Sequence, residues 1–207
     1  MSEYGYIPES PAQSFRNNKG IFTPNDIYDL TRADKFTNLG QLEYISTNTF
    51  TNSYADLSIT GDYKTHFLTF TNVVPSSTTN IGARFSNDSG TSYVSSSYEY
   101  AWQRGGTGSG AFNEVRNTSR DRILINGDVL SGTNEGMNGY AYLFDFLNSA
   151  KYSSMSFHTT AMGSDYLFSF GGGILPTAEV HDSIRFGTLS FAVLSKGTIS
   201  LYGVKEY

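Results

Sequence analysis

Apolar and polar residues alternate along most of the chain after residue 41, with the period of two that is typical of β-strands. Ile81, Ala83 and Phe85 show the alternation most strictly, and Gly, Asn, Asp and Ser interrupt it at short intervals. We predict roughly ten to eleven strands, a number and spacing typical of a β-sandwich or jelly roll. They are expected near residues 42–46, 55–60, 65–72, 81–85, 93–103, 122–126, 139–148, 152–160, 166–170, 183–194 and 198–204.

The most apolar of these stretches is residues 139–148, and we expect the sheet to be organised around it. Alternation places two sets of side chains on opposite faces: Tyr140, Tyr142, Phe144 and Phe146 on one, and Ala141, Leu143, Asp145 and Leu147 on the other. Because both faces are mostly apolar, we predict a strand deep in the sheet, whose four aromatic residues could form a large share of the core. The pattern leaves open which of the two faces meets the opposite sheet.

Asp145 is the exception in this stretch. A buried carboxyl group must be paired or protonated, whereas a carboxyl group at the rim of the sheet is free to face solvent. We favour the position at the rim.

A short helix is predicted ahead of the strands, over residues 24–35. Pro24 suits the first helical position, and Ile27, Leu30 and Ala33 recur at a spacing of three, which gives a narrow apolar stripe. A helix of this length is too short to be stable alone, so it is expected to pack on the sandwich or on a partner.

Residues 1–20 show neither a strand period nor a helix period, but they contain the apolar residues Tyr4, Tyr6, Ile7 and Phe15. Such an arm either packs on its own domain or docks on a neighbouring subunit, and the pattern leaves both interpretations open. We therefore expect an arm with a short helix over residues 1–40 and an all-β, jelly-roll-like sandwich over residues 41–207.

Composition narrows the range of partners. Only 16% of the 207 residues are charged, the net charge is −5 and there is no basic cluster, so we expect no nucleic-acid partner. The absence of cysteine excludes disulfides and thiolate metal sites. No apolar run is long enough to span a bilayer, and residues 1–8 lack a basic region followed by an apolar run. We therefore expect no membrane insertion and no signal peptide.

Candidate catalytic and metal-binding motifs are scarce. His66, His158 and His181 have no partner at metal-ligand spacing, and Asp88 lacks the ligand series of a calcium loop. The glycine-rich residues 105–110 lack the Lys-Ser/Thr ending of a phosphate-binding loop. Neither a Gly-x-Ser-x-Gly elbow nor a spaced pair of catalytic carboxylates is present. We expect no cofactor and no enzymatic activity.

One strand carries a possible ligand platform. Tyr98, Tyr100 and Trp102 share a face by their even spacing, and aromatic faces can stack on sugar rings. The same pattern is also typical of an aromatic ladder in the core, which we favour because the flanking strands are equally aromatic.

Several segments resemble a known group of proteins. Residues 20–30 read Gly-Ile-Phe-Thr-Pro-Asn-Asp-Ile-Tyr-Asp-Leu, residues 40–45 read Gly-Gln-Leu-Glu-Tyr-Ile, and residues 197–204 read Gly-Thr-Ile-Ser-Leu-Tyr-Gly-Val. The aromatic strand that leads into Asn-Ser-Ala-Lys-Tyr at residues 148–152 fits the same pattern. With these segments the chain resembles small virion structural proteins of tailed bacteriophages, especially marine and cyanobacterial phages, over most of residues 20–207.

The resemblance implies a virion part of the tail-fibre, head-fibre or capsid-decoration type. We then expect a non-enzymatic protein that is made in the host cytoplasm, joins other proteins of the capsid or tail, and projects its sandwich outward. A homo-oligomer is expected, because exposed strand edges need covering. The residues expected to anchor the protein to the particle are Tyr4, Tyr6, Ile7, Pro8, Phe15, Phe22, Ile27 and Leu30.

Two alternative functions accompany this expectation. One is a receptor-recognition module that binds a host surface glycan, through loops such as residues 105–110 and 131–138 or through Tyr98, Tyr100 and Trp102. The other is a hydrolase that acts on envelope polysaccharide, which would need a pair of carboxylates in a cleft.

Overall fold

Two antiparallel β-sheets form the body of the protein. The computed structural model describes residues 23–32, 42–50, 52–108, 110–132, 134–188 and 192–205. Within them lie one helix and twelve strands: α1 Pro24–Arg32, β1 Leu42–Thr49, β2 Tyr54–Ser58, β3 Thr65–Pro75, β4 Thr79–Ser86, β5 Tyr98–Gly106, β6 Phe112–Arg120, β7 Ile123–Val129, β8 Met137–Phe144, β9 Tyr152–Met162, β10 Tyr166–Ala178, β11 Ser183–Thr188 and β12 Leu194–Val204.

The larger sheet has eight strands in the order β1-β12-β3-β8-β9-β10-β5-β6, and the smaller has four in the order β2-β11-β4-β7. The chain crosses repeatedly from one sheet to the other, as it does in jelly rolls. The predicted all-β sandwich is confirmed.

Aromatic side chains from the two sheets meet in the core between them. Phe70 on β3 packs edge-on against Phe186 on β11 with ring centroids 5.0 Å apart, and Phe85 on β4 packs against Tyr98 on β5 at 5.3 Å. All four are almost completely buried. Each buried phenylalanine contributes about 1.5–3 kcal/mol, so these contacts between the sheets hold the sandwich together.

The central position predicted for the stretch at 139–148 is confirmed, and the structure shows which of its two faces is buried. β8 lies between β3 and β9, and the side chains that it buries are Met137, Ala141 and Leu143. Tyr140 and Tyr142 point away from the core and are 41% and 38% exposed. The small and aliphatic set thus fills the core, and the tyrosines cover the outer face of the sheet.

Phe146 reaches the core by another route. β8 ends at Phe144, and Asp145 has a positive φ of 59° while its N–H donates to the Lys64 carbonyl at 3.0 Å. The chain therefore turns, and the Phe146 ring packs 4.6 Å from Phe85. Asp145 itself is half-buried at the end of the strand, which is the rim position favoured from the sequence.

Several strands differ from the prediction in their extent, and one strand is additional. β6 was not expected, because residues 112–120 are mostly polar. Among the described strands it pairs only with β5, at the edge of the sheet, and most of its side chains are exposed, so no apolar alternation is required. β5 begins at Tyr98 rather than near residue 93, and β11 ends at Thr188.

The chain divides into two units, Met1–Gln41 and Leu42–Tyr207. In the first, the predicted helix is present as α1 over Pro24–Arg32, and the Thr23 carbonyl accepts from the Ile27 N–H at 3.1 Å. Residues 33–35, where the helix is predicted to end, lie outside the described residues. The residues proposed for the arm, Tyr4, Tyr6, Ile7, Pro8, Phe15 and Phe22, lie outside the described residues.

Candidate functional site

The three residues considered as glycan contacts lie on the inward face of β5. Tyr98 and Trp102 are 0% and 4% exposed, and Tyr100 is half-buried. The Tyr98 hydroxyl accepts a hydrogen bond from the Phe85 N–H at 2.7 Å, and burial raises the pKa of the phenol. A sugar cannot stack on Tyr98 or Trp102, so the core interpretation is confirmed for these two residues.

Two of the proposed anchoring residues lie in α1. Ile27 is 38% exposed and Leu30 is half-buried, and their spacing of three places them on one side of the helix. This apolar stripe is the part of the proposed anchor that the structure describes.

Ser153, His181 and Glu179 together resemble a catalytic triad. Ser153 Oγ lies 2.7 Å from His181 Nδ1, and His181 Nε2 lies 3.2 Å from Glu179 Oε1. Both Ser153 and His181 are 0% exposed, so no substrate reaches the hydroxyl group. Burial lowers the pKa of His181, against the opposing charge of Glu179. The group is therefore a structural polar network that links the buried Ser153 and His181 to the half-buried Glu179.

His66 has a similar structural role. It is buried on β3, its Nε2 lies 3.2 Å from the Thr60 carbonyl oxygen, and its ring meets Tyr63 edge-on. Burial lowers its pKa, which favours the neutral ring, although the contact with the carbonyl oxygen opposes the shift.

Asp88 organises a turn, as its sequence context predicts. Its carboxylate accepts from the Ser92 hydroxyl at 2.6 Å and from the Ser92 N–H at 2.9 Å, and it also bonds the Ser86 hydroxyl at 2.7 Å. These hydrogen bonds, those from Ser92 first, lower the pKa of Asp88 to about 2. Every contact of the carboxylate described here stays within the loop at residues 86–92.

The outer face of the smaller sheet is charged and internally paired. Arg185 binds Asp56 through two hydrogen bonds of 2.7 and 2.8 Å, and its guanidinium lies between the rings of Tyr54 and Tyr93, 3.8 and 4.0 Å from their centroids. Asp121 pairs in the same way with two arginines. Because carboxylates already occupy these guanidinium groups, this face is a structural ion-pair cluster.

The outer face of the larger sheet is different, because a series of aromatic rings crosses it. It begins on β1, where the Tyr44 ring lies 5.9 Å from Tyr202 on β12. Tyr202 lies 6.3 Å from Phe67 on β3, which lies 4.9 Å from Tyr142 on β8. These four residues are direct cross-strand partners, so the register of the sheet itself aligns their rings.

The series continues through the other half of the sheet. Tyr140, 5.9 Å from Phe67, lies 5.7 Å from His158 on β9, which lies 6.2 Å from Phe170 on β10. On the same strand Phe168 lies 6.5 Å from Phe170, and it lies 5.6 Å from Phe112 on β6. We call this series the aromatic band; it consists of Tyr44, Tyr202, Phe67, Tyr142, Tyr140, His158, Phe170, Phe168 and Phe112.

β5 contributes no ring to the aromatic band, but Gly105 leaves room for rings of the two neighbouring strands to meet above it. Gly105 is the cross-strand partner of both Phe168 and Phe112. A side chain at this position would collide with the Phe168 ring, which lies over Gly105. The glycine therefore allows the two phenylalanines to meet across the intervening strand.

The band is long and open to solvent. It runs from β1 to β6 across eight strands, a span of about 33 Å at the usual spacing of neighbouring strands. The rings at its two ends, Tyr44 and Phe112, are each 61% exposed, and the central Tyr140 and Phe170 are 41% and 40% exposed. Extended aromatic surfaces of this kind mark interaction sites, so the aromatic band is the candidate functional site.

The sequence contains a signal that indicates which face of β8 is exposed at this site. Tyr140, Tyr142 and Phe144 alternate with the smaller apolar residues Ala141 and Leu143. The size of the rings alone makes the aromatic face a candidate for the core. Tyrosine carries a polar hydroxyl group, however, so the aliphatic set is the better candidate for the buried face.

Metal-binding groups and membrane-spanning helices are both absent from the part of the chain that the structure describes. No group of three or more histidine, aspartate or glutamate side chains there has a geometry that could hold a metal ion. The one helix, α1, is too short to cross a bilayer.

No protein-family model and no curated protein matches the chain, so the function is argued from the structure and from the resemblance in its sequence motifs.

Proposed function

We propose that this protein is a non-enzymatic structural protein of a bacteriophage virion that presents its β-sandwich for contact with a ligand. The observation that supports a binding role is the aromatic band, an exposed surface that crosses the whole larger sheet. The assignment to a virion rests on the motifs at residues 20–30, 40–45 and 197–204. The last of these motifs contributes Tyr202 to the band.

In this proposal the N-terminal unit attaches the protein to capsid or tail proteins. The apolar stripe of α1 fits such a role, since Ile27 exposes more than a third of its surface in a helix of nine residues. Such a helix gains stability when its apolar face packs on a neighbour.

Incorporation into particles tests the attachment. Phage particles are produced with the full-length protein carrying Ile27→Ala and Leu30→Ala together, and the protein is quantified in purified virions. We expect several-fold less protein than in wild-type particles. Asp29→Ala, in the same helix, is the matched control and should leave incorporation unchanged.

A truncation tests the role of the arm as a whole. The strands lie in residues 42–205, so removal of residues 1–36 should leave a sandwich with an unchanged β-type circular dichroism spectrum. The truncated protein should no longer join particles. Full occupancy of the truncated protein in virions, seen by electron cryo-microscopy, would contradict the assigned anchor.

A second function, recognition of a host surface glycan, is favoured by the chemistry of the aromatic band. Tyr98 and Trp102 are unavailable for this role, but the band offers rings on the solvent side of the same sheet. Glycan recognition and a structural role in the virion are compatible, because an anchored module can carry both.

A further inference from the structure

We propose that the aromatic band is a binding site for a neutral polysaccharide, whose chain lies across the strands of the larger sheet. This proposal rests on the proposed function only for its biological setting, which is a protein on the surface of a virion. It assigns a chemical class of ligand and a set of residues, and it places the site on the opposite face of the sheet from Tyr98 and Trp102.

The first argument is charge. The four adjacent strands β3, β8, β9 and β10 contain no Asp, Glu, Lys or Arg. All of the chain's Asp, Glu, Lys and Arg residues, 16% of its length, lie outside these four strands. The middle of this sheet face is therefore unusually neutral. A charged polymer would find no counter-charge on these strands, whereas an uncharged one would lose no ionic hydration there.

The second argument is the mixture of rings and hydroxyl groups. On β3 the outward residues beside Phe67 are Thr65 and Thr69, and on β9 Ser156 and Thr160 flank His158. A sugar ring presents C–H groups on its faces and hydroxyl groups around its edge. Aromatic faces are suited to the former, because the π-system is electron-rich, and hydroxyl side chains are suited to the latter.

The third argument is preorganisation. Each ring of the band lies within 6.5 Å of another, so neighbours restrict the rotation of the central side chains. Tyrosine and phenylalanine have only two side-chain torsions, and less freedom is lost on binding when these are already fixed.

The fourth argument is shape. The band is a line of rings about 33 Å long across eight strands, a footprint that matches a linear polymer. Protein interfaces instead concentrate their binding energy in a central cluster within a polar rim that includes charges. A second copy of the chain is therefore the less favoured occupant, and the experiment below distinguishes it.

Binding by the full-length protein to four soluble polymers provides the test. Dextran, hydroxyethyl cellulose and galactomannan are the neutral polymers, and alginate is the acidic comparator, in affinity electrophoresis and isothermal titration calorimetry. The test variant is Tyr140→Ala with Tyr142→Ala. The matched control is Tyr152→Ala, because this β9 tyrosine is 50% exposed but has no place in the band.

We expect the wild-type protein to bind at least one neutral polymer, with little dependence on salt and weaker binding to alginate. The double variant should lose at least tenfold in affinity, while the control keeps wild-type affinity. Both variants should retain the wild-type circular dichroism spectrum, because both tyrosines of the double variant are more than a third exposed. A second pair on the far side of the band, Phe168→Ala and Phe170→Ala, should weaken binding similarly.

Three results would overturn the inference. The first is the absence of binding to all three neutral polymers, and the second is binding that both pairs of substitutions leave intact. The third is concentration-dependent self-association in sedimentation velocity that disappears with Tyr140→Ala and Tyr142→Ala, which would make the band an interface between copies. Particle incorporation is scored separately, so a protein that enters virions without binding any polymer disproves this inference and leaves the structural role intact.

Discussion

Tyr98 is a polar residue in an apolar core, and its hydroxyl group has a specific structural task. The hydroxyl group accepts a hydrogen bond from the Phe85 N–H at 2.7 Å, and the whole side chain is buried. Tyr98→Phe would leave that backbone donor without an acceptor. We expect a loss of about 1–3 kcal/mol in the free energy of unfolding, measured by urea denaturation, because a buried unsatisfied donor loses its hydration without compensation.

Tyr152→Phe is the control for this experiment. Its ring is half exposed, so removal of its hydroxyl group should change the free energy of unfolding by less than about 0.5 kcal/mol. Equal effects of the two substitutions would show that the hydrogen bond to Phe85 contributes nothing specific.

At the scale of the element, Gly139 determines how closely β8 approaches β9. A Cβ atom at this position would collide with the carbonyl oxygen of His158 and with the backbone of Thr159. Backbone atoms in the middle of a sheet cannot move aside as a side chain can. Gly139→Ala should therefore cost about 1–3 kcal/mol of stability, and it should speed amide hydrogen exchange along β8 and β9.

Gly108→Ala is the matched glycine substitution. The three atoms nearest to a Cβ atom there would all belong to the carboxyl group of Asp165, which lies at the end of a side chain that can rotate. We expect little change in stability and no change in exchange in β8. Comparable exchange rates in the two variants would argue against a backbone collision at Gly139.

The existence of most strands could be predicted from their alternation, but which face of each is buried could not. For β8 both sets of side chains are apolar, so the period gives two faces without ranking them. The assignment depends on the opposite sheet, where Phe186 and other large side chains already fill the core. β6 could not be predicted because most of its side chains are exposed at the edge of the sheet. Its sequence therefore lacks the apolar alternation that indicates a strand.

The aromatic band is a property of the whole molecule and had no counterpart in the sequence prediction. Tyr44, Phe67 and Tyr202 are far apart along the chain and meet because β1, β12 and β3 are neighbours in the sheet. Strand order is set by long-range packing, which the local period does not encode. The aromatic residues considered as glycan contacts lie on one strand, whereas the aromatic band crosses eight strands.

The stability of the sandwich as a whole should fall as the solution is acidified. Burial lowers the pKa of His66 and of His181 below the value of about 6.5 that a histidine has in the unfolded chain. His181 faces Ser153 and Glu179, with the charge of Asp182 nearby, and the two carboxylates oppose the shift without reversing it. Below about pH 6.5 these two histidines therefore bind protons more readily in the unfolded state than in the folded state. The free energy of unfolding consequently decreases with falling pH.

A second loss should follow at lower pH. The folded-state pKa of Asp88, about 2, lies below its unfolded value of 3.8, so its contribution is present above that value and is lost as the pH falls towards 2. Urea unfolding at intervals from pH 8 to pH 5 isolates the histidine effect, because Asp88 stays ionised in both states over that range. We expect a constant free energy of unfolding above neutrality and a progressive decrease below pH 6.5, with a shallower decrease in His181→Gln. Stability that increases on acidification from pH 8 to pH 5 would mean that the buried histidines accept protons more readily in the folded protein, contrary to their burial.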